Sequence, residues 1–194
     1  MGKWEKTIVI FGVVISLILL VRRAKASDIQ LPQVKVKNIT KKLKRHPTRE
    51  YAKRELEQIN NVVIHHSATK SGTPQSYARY HVDTHGWPGI GYHYVIQKDG
   101  TIYQTNELDT ISFHVSGHNT RSIGICLTGH YDQQAVPEIQ LQQCGKLIAS
   151  LRSMLPKEIE ISGHRDFSTK SCPGDKVDIG YLKSLADGYR NVIV

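Results

Sequence analysis

The longest apolar stretch of the chain lies near its N-terminus, where residues 7–21 contain no charged side chain. A helix of these 15 residues would span about 22 Å, less than the roughly 30 Å hydrocarbon core of a bilayer. The pattern predicts an N-terminal hydrophobic helix with two open roles: a signal peptide ending at Ala26, or an uncleaved membrane anchor between Lys6 and Arg22. More basic residues follow the stretch than precede it, which favours keeping the following residues in the cytoplasm.

From about residue 59 onwards, the spacing of apolar residues alternates between that of strands and that of helices. The predicted elements are strands at 60–68, 122–129 and 158–162, a hairpin within 91–104, and helices at 74–85 and 137–155. The hairpin turns at Asp99 and Gly100, and Gly86 follows the first helix. Alternating strands and helices with one hairpin predict an α/β fold: a mixed β-sheet flanked by helices.

Charge separates the two parts of the chain. Residues 1–58 carry 14 Lys and Arg against 5 Asp and Glu, whereas residues 59–194 are balanced. We therefore expect three parts: a signal peptide or anchor at 1–26, a basic linker and leading helix at 27–58, and a catalytic or binding domain at 59–194. The linker is expected to be attracted to anionic lipid and to become helical after Pro47. Its basic residues lack interleaved aromatics and match no known module, so we expect no nucleic-acid partner.

The three cysteines differ in their surroundings. Cys126 and Cys144 lie in apolar segments and are expected to be small buried side chains. A disulfide bond between them is an alternative that the sequence does not decide. Cys172 lies in a polar loop, eight residues after His164, and both could be solvated surface residues or ligands of a metal ion. Zinc sites in enzymes use three such ligands, and the spacing allows a third from either histidine at the end of the first strand.

Several short motifs between residues 60 and 175 resemble one known family when taken in order. They are VIHHSAT at 63–69, GW at 86–87, GYHYVI at 91–96, DGTI at 99–102, His114 followed by GHN at 117–119, SIGI at 122–125, and His164 followed by KSCPG at 170–174. Each motif alone is weak, but the ordered set is similar to the zinc-dependent N-acetylmuramoyl-L-alanine amidases of the type 2 family. That family includes phage lysozyme-type amidases and peptidoglycan recognition proteins.

The resemblance implies specific roles for residues of this chain. The zinc ligands of the family correspond to His65, His164 and Cys172, and the catalytic positions of its phage branch correspond to Tyr92 and Lys170. A zinc ion would polarise the amide carbonyl and lower the pKa of water. A positive charge at Lys170 would stabilise the developing oxyanion.

Of three further positions, one matches the family and two depart from it. His114 matches a histidine that lines the substrate cleft of the family. Cys126 stands where some members have a glutamate base, so the resemblance shifts the role of base to Tyr92. Asn106 stands where many members have an arginine, which leaves open how the peptide stem of the substrate is held.

The expected function is zinc-dependent hydrolysis of the amide bond between N-acetylmuramic acid and L-alanine in peptidoglycan. The alternative is a binding module that recognises muropeptides without cleaving them. Cys172, together with Tyr92 and Lys170, favours the enzyme, because non-catalytic members of the family usually lack the cysteine ligand. We expect a monomer that acts on peptidoglycan and contacts the membrane through residues 7–21. It would be membrane-associated or exported and would face the cell wall.

Overall fold

A six-stranded β-sheet organises residues 34–190, which are the part of the chain that the computed structural model describes. The strands are β1 (Val36–Asn38), β2 (Asn61–His66), β3 (Tyr94–Ile96), β4 (Ile102–Gln104), β5 (Ser122–Leu127) and β6 (Glu160–Gly163). The α-helices are α1 (Pro74–Asp83), α2 (Glu138–Met154) and α3 (Ile179–Arg190). The expected α/β fold, a mixed sheet flanked by helices, is confirmed.

The sheet order is β1-β4-β3-β5-β2-β6, and the hairpin β3–β4 is its antiparallel pair. The other neighbours run parallel, which places the carboxyl ends of β2, β5 and β6 at one edge. The predicted hairpin turn is confirmed: Asp99 accepts the N–H of Thr101, and Gly100 has a positive φ of 82°. Glycine adopts this conformation without the steric cost of a side chain.

The sheet separates two apolar layers. Ile64 and Ile125 face α2 and α3, whereas Val95 and Cys126 face Tyr77 and other residues of the α1 side. This division follows from the alternation of side chains along a strand. Burial of each large aliphatic side chain contributes about 1.5–3 kcal/mol, so the central strand β5 is stabilised from both faces.

Both predicted buried thiols are confirmed. Cys126 and Cys144 are fully buried and are free cysteines, so they act as small apolar side chains without a disulfide between them.

The sequence missed two elements and misassigned a third. Strand β1 and helix α3 were not predicted, and the leading helix expected after Pro47 is wrong. That segment is largely extended, and only Leu56–Gln58 form a short 3₁₀ turn. Because β1 pairs with β4, residues before 59 belong to the folded sheet and are not simply a solvated linker.

Arg54 explains why the segment after Pro47 is not helical. Its side chain is 5% exposed and donates from Nε to the Leu108 carbonyl at 2.9 Å. Its Nη1 donates to the carbonyls of Asn119 and Ser122 at 2.8 and 2.7 Å. These contacts lie more than 50 residues away along the chain, so tertiary hydrogen bonds override the local helical preference.

The expected hydrophobic helix at residues 7–21 lies outside the described residues. Among residues 34–190, no helix is long and apolar enough to cross a membrane. The signal-peptide and anchor interpretations, the boundary at residue 26 and the location of the protein therefore stay predictions.

Replacing Arg54 with methionine should lower the free energy of unfolding by about 3 kcal/mol, because several buried carbonyls would lose their donor. The neighbouring substitution Lys53→Ala is the control. Lys53 forms an exposed ion pair with Asp109, and its loss should cost about 0.5 kcal/mol. Urea unfolding of both variants measures the difference, and equal losses would contradict the buried role of Arg54.

Candidate functional site

The register between β2 and β6 brings two histidines together. Ile64 of β2 pairs with Gly163 of β6, so the next residues, His65 near the end of β2 and His164 directly after β6, lie at the same level of two parallel strands. Their ring centroids lie 4.6 Å apart. Cys172 reaches the same point from the loop after β6, and its Sγ is 3.7 Å from His65 Nδ1. The structure thus brings together the three side chains that the sequence suggested as metal ligands.

Several hydrogen bonds fix the loop that carries Cys172. Arg165 donates to the carbonyls of Gly174 and Val177, each at 3.0 Å. Asp132 accepts the Ser171 hydroxyl and the Asp175 N–H, both at 2.9 Å. The thiol is therefore held in position by contacts on both sides of Cys172.

The geometry of this group fits a zinc ion. One donor atom from each of His65, His164 and Cys172 lies within 4.8 Å of the others. Tetrahedral zinc with Zn–S of about 2.3 Å and Zn–N of about 2.05 Å requires a sulfur–nitrogen separation of about 3.6 Å. The observed separation between Cys172 Sγ and His65 Nδ1 is 3.7 Å. Two imidazoles and one thiolate are also a donor set that zinc prefers.

Electrostatics keep all three groups uncharged at neutral pH, but they shift the pKa values of the imidazoles and of the thiol in opposite directions. Burial, followed by the neighbouring imidazoles, lowers the pKa of His65 well below its usual value. Burial and then Lys170 lower the pKa of His164. Burial raises the pKa of Cys172 to about 11, although the His66 N–H and Lys170 act in the opposite direction. Both imidazoles are therefore neutral at pH 7, and the thiol keeps its proton unless a cation replaces it.

A second group with metal-binding residue types lies nearby, formed by His66, His130 and Asp132. Two of its three members, His66 and Asp132, are already engaged in hydrogen bonds, whereas His130 Nδ1 is buried without a hydrogen-bond partner among residues 34–190. His66 Nδ1 accepts the Tyr131 N–H at 3.1 Å, and Asp132 uses both carboxylate oxygens to hold the 171–175 loop. A neutral imidazole whose Nδ1 accepts a hydrogen bond carries its proton on Nε2, so neither nitrogen offers a free lone pair. This distinction favours His65 over His66 as a ligand, a choice that spacing alone left open.

The candidate metal group opens into a cleft with a volume of about 1310 Å³. Tyr92, Lys170 and His114 line this cleft, as do the aromatic side chains of Trp87 and Phe113. The Tyr92 ring lies 5.4 Å from the His65 ring, and burial together with Cys126 raises the pKa of Tyr92 well above its usual value. The phenol therefore stays protonated at neutral pH and is a hydrogen-bond donor.

Lys170 is exposed at the mouth of the cleft, close enough to lower the pKa of His164. Within residues 34–190, no hydrogen bond engages its ammonium group. The charge is therefore available to a ligand in the cleft.

The two positions that depart from the family pattern have structural roles. Cys126 is fully buried beneath Tyr92. Asn106 is 1% exposed, and its side-chain amide donates to the carbonyls of Ile90 and Tyr92, each at 2.7 Å. Arg45 donates to the Asn106 carbonyl oxygen at 2.8 Å. Asn106 thus supports the backbone of Tyr92 from below the cleft.

Trp87 and Phe113 form an aromatic wall of the cleft that was not recognised from the sequence. Trp87 stacks on His85 with ring centroids 4.9 Å apart and meets Phe113 edge-on at 5.9 Å. These residues lie in separate segments of the chain, and only the Gly86-Trp87 motif could have indicated one of them. Aromatic side chains of this kind offer a large apolar surface to a ligand in the cleft.

The comparisons with known proteins agree with this geometry. The sequence profile of the N-acetylmuramoyl-L-alanine amidase family matches residues 55–175. The chain is 31% identical over 125 residues to an endolysin of Enterobacteria phage K11, covering 60% of this chain and 82% of the endolysin. It is 30% identical over 129 residues to peptidoglycan-recognition protein SC1a of Drosophila melanogaster, covering 61% and 70%.

A solved structure shows the same fold. The endolysin N-acetylmuramoyl-L-alanine amidase LysCS from Clostridium intestinale URNW matches with a TM-score of 0.68 and 26% identity. The match covers 81% of this chain and 97% of that protein. Because the family profile matches more than half of the chain, the resemblance inferred from the motifs is confirmed, and the protein belongs to the N-acetylmuramoyl-L-alanine amidase family of type 2.

Proposed function

We propose that this protein is a zinc-dependent amidase that cleaves the bond between N-acetylmuramic acid and L-alanine in peptidoglycan. The observation that carries the proposal is the convergence of His65, His164 and Cys172 at one end of an open cleft, at separations that suit zinc. Family membership supports the same reaction class. The peptidoglycan-recognition relative supports a muropeptide as the ligand of the cleft.

The three ligands would hold the metal and set its charge. When bound, zinc supplies a Lewis acid that polarises an amide carbonyl and lowers the pKa of water. His65 and His164 bind as neutral imidazoles, and Cys172 binds as a thiolate. Together they cancel one of the two positive charges of the ion, which leaves the site electrophilic.

Lys170 and Tyr92 would act on the substrate directly. The Lys170 ammonium faces the cleft and would stabilise the negative charge that develops on the carbonyl oxygen, an effect of about 3–4 kcal/mol for one well-placed donor. The Tyr92 ring lies beside His65 and its phenol keeps its proton, so its hydroxyl would orient the attacked carbonyl or the water by a hydrogen bond. Trp87 and Phe113 would pack against the sugar.

The reaction is tested by incubating the full chain, loaded with zinc, with muropeptides and measuring the free stem peptide by mass spectrometry. We expect release by the wild type, loss of release after chelation, and recovery when zinc is added back. Cys172→Ala should retain no zinc and release no peptide. Cys144→Ala is the matched control and should keep both, because it removes a buried thiol that neither lines the cleft nor belongs to the ligand group.

Two outcomes would contradict the proposal. Release of stem peptide by Cys172→Ala at the wild-type rate would exclude the thiolate as a necessary ligand. Retention of muropeptide by zinc-loaded wild type without any release of peptide would indicate a binding module instead.

Zinc uptake should release about one proton per ion at pH 7. The proton comes from Cys172, whose pKa of about 11 lies above the experimental pH. The pKa values of His65 and His164 are lowered, so both imidazoles are already neutral at pH 7 and release no proton. Zinc affinity should therefore fall about tenfold for each unit of decrease in pH near neutrality.

Titration calorimetry in buffers of different ionisation enthalpy counts the protons. Cys172→Asp provides the control: a carboxylate is already ionised at pH 7, so this variant should release about one proton fewer per zinc ion than the wild type. Uptake of zinc by the wild type without proton release would show that the thiol is not a ligand.

Lys170→Met should lower kcat by about 100- to 1000-fold because the oxyanion loses its charged donor. The zinc content should not change, since Lys170 is not a ligand. Lys176→Met removes an exposed lysine of the same loop region that does not line the cleft and should leave kcat unchanged. Steady-state kinetics and metal analysis of both variants test this, and an equal effect of the two substitutions would argue against a specific role for Lys170.

A further inference from the structure

His114 lies directly behind the candidate ligand His65. It is 7% exposed, and its Nδ1 is 3.1 Å from His65 Nε2, with the two rings nearly perpendicular at 86°. Two imidazole nitrogens at this distance share one proton, so one is the donor and the other the acceptor. The neighbours of His114 decide which nitrogen donates.

Ser122 fixes the tautomer of His114. The Ser122 hydroxyl donates to the His118 carbonyl at 2.8 Å, so its oxygen can only accept from His114 Nε2 at 3.3 Å. The Ser122 carbonyl, 3.4 Å from the same nitrogen, is also an acceptor. Both partners require a proton on Nε2 of His114. In a neutral imidazole, its Nδ1 is then an acceptor.

The tautomer of His65 follows from that of His114. His65 Nε2 carries the proton that His114 Nδ1 accepts, which leaves His65 Nδ1 with a free lone pair. That nitrogen is the one that faces Cys172 Sγ at 3.7 Å. We propose that His114 is a positioning residue: it holds His65 in the tautomer and ring orientation that present Nδ1 to the metal. The inference rests on the zinc site proposed above.

The surroundings of His114 hold its ring in this position. A Cβ at Gly124 would lie 2.6 Å from His114 Cγ, so the glycine of β5 provides the space that the ring occupies. Asn119 Oδ1 accepts the backbone N–H groups of His114 and Val115 at 3.0 and 2.8 Å. Arg54 binds the carbonyls of Asn119 and Ser122 from below. Ring and backbone are therefore both fixed before any ligand binds.

This role differs from contact with the substrate, which the family resemblance implies for His114. A substrate-binding histidine would mainly affect KM and would leave the metal site unchanged. A positioning residue acts on metal affinity and on the protonation of His65 even when no substrate is present.

The test compares His114→Leu with His114→Asn in the full chain. Leucine fills the space but provides no acceptor, whereas asparagine places an oxygen close to the position of Nδ1. We expect His114→Leu to weaken zinc binding by about 10–100-fold, measured by competition with a chelator, and His114→Asn to restore most of the affinity. Nitrogen-15 NMR of the metal-free wild type should show His65 protonated at Nε2, and His114→Leu should show a mixture of tautomers.

Three results would overturn the inference: wild-type zinc affinity in His114→Leu with only KM raised, no recovery of affinity in His114→Asn, or metal-free wild type with His65 protonated at Nδ1. Thermal unfolding of the metal-free variants identifies loss of fold. If His114→Leu does not fold, the tautomer of His65 in the wild type and the zinc affinity of His114→Asn still test the inference.

Failure of the wild type itself to bind zinc would instead refute the proposed function. Because the tautomer is measured without metal, it distinguishes failure of the positioning role from failure of the zinc site.

Discussion

The parallel pairing of β2 with β6 is the constraint on which the site depends. It places His65 and His164 side by side although they are 99 positions apart in the sequence, and Cys172 then needs only a short loop to reach them. A shift of this register by one residue would turn His65 to the other face of the sheet, because strand side chains alternate. The apolar layer beneath α2 and α3 opposes such a shift, since it would expose Ile64 and its neighbours. The register that buries the core side chains is thus the same register that brings His65 and His164 together.

The N-terminal part of the described region supports the site from behind. Arg54 donates hydrogen bonds to the turn that ends at Ser122. Ser122 contacts His114, and His114 contacts His65. Arg45 similarly reaches Asn106, which holds the backbone of Tyr92. The basic residues of this part therefore differ in role. Some are exposed and solvated, whereas the buried Arg54 donates hydrogen bonds to several backbone carbonyls inside the protein. Side chains that never touch a substrate determine where the reactive ones lie.

The sequence predicted what is local or carried by an ordered set of motifs. Strand β2, the hairpin at Asp99, helices α1 and α2, and the grouping of His65, His164 and Cys172 all follow from periodicity or from resemblance. It did not predict β1 or the extended course around Arg54, because those depend on partners more than 50 residues away, and charge spacing alone resembles that of a helix. Spacing alone left the choice between His65 and His66 open, and the resemblance pointed to His65. The sheet register and the hydrogen bond from Tyr131 to His66 supply the physical reason for that choice. The aromatic wall of Trp87 and Phe113 needed the tertiary structure for the same reason.

The central claim is that one sulfur and two imidazole nitrogens of this chain bind zinc. X-ray absorption at the zinc edge of the purified, zinc-loaded protein measures this coordination directly. The account predicts one sulfur at about 2.3 Å and nitrogen neighbours at about 2.0–2.1 Å, with the pattern of two imidazole rings. A shell of nitrogen and oxygen without sulfur would contradict it, because that result would place the metal at His66, His130 and Asp132 or elsewhere.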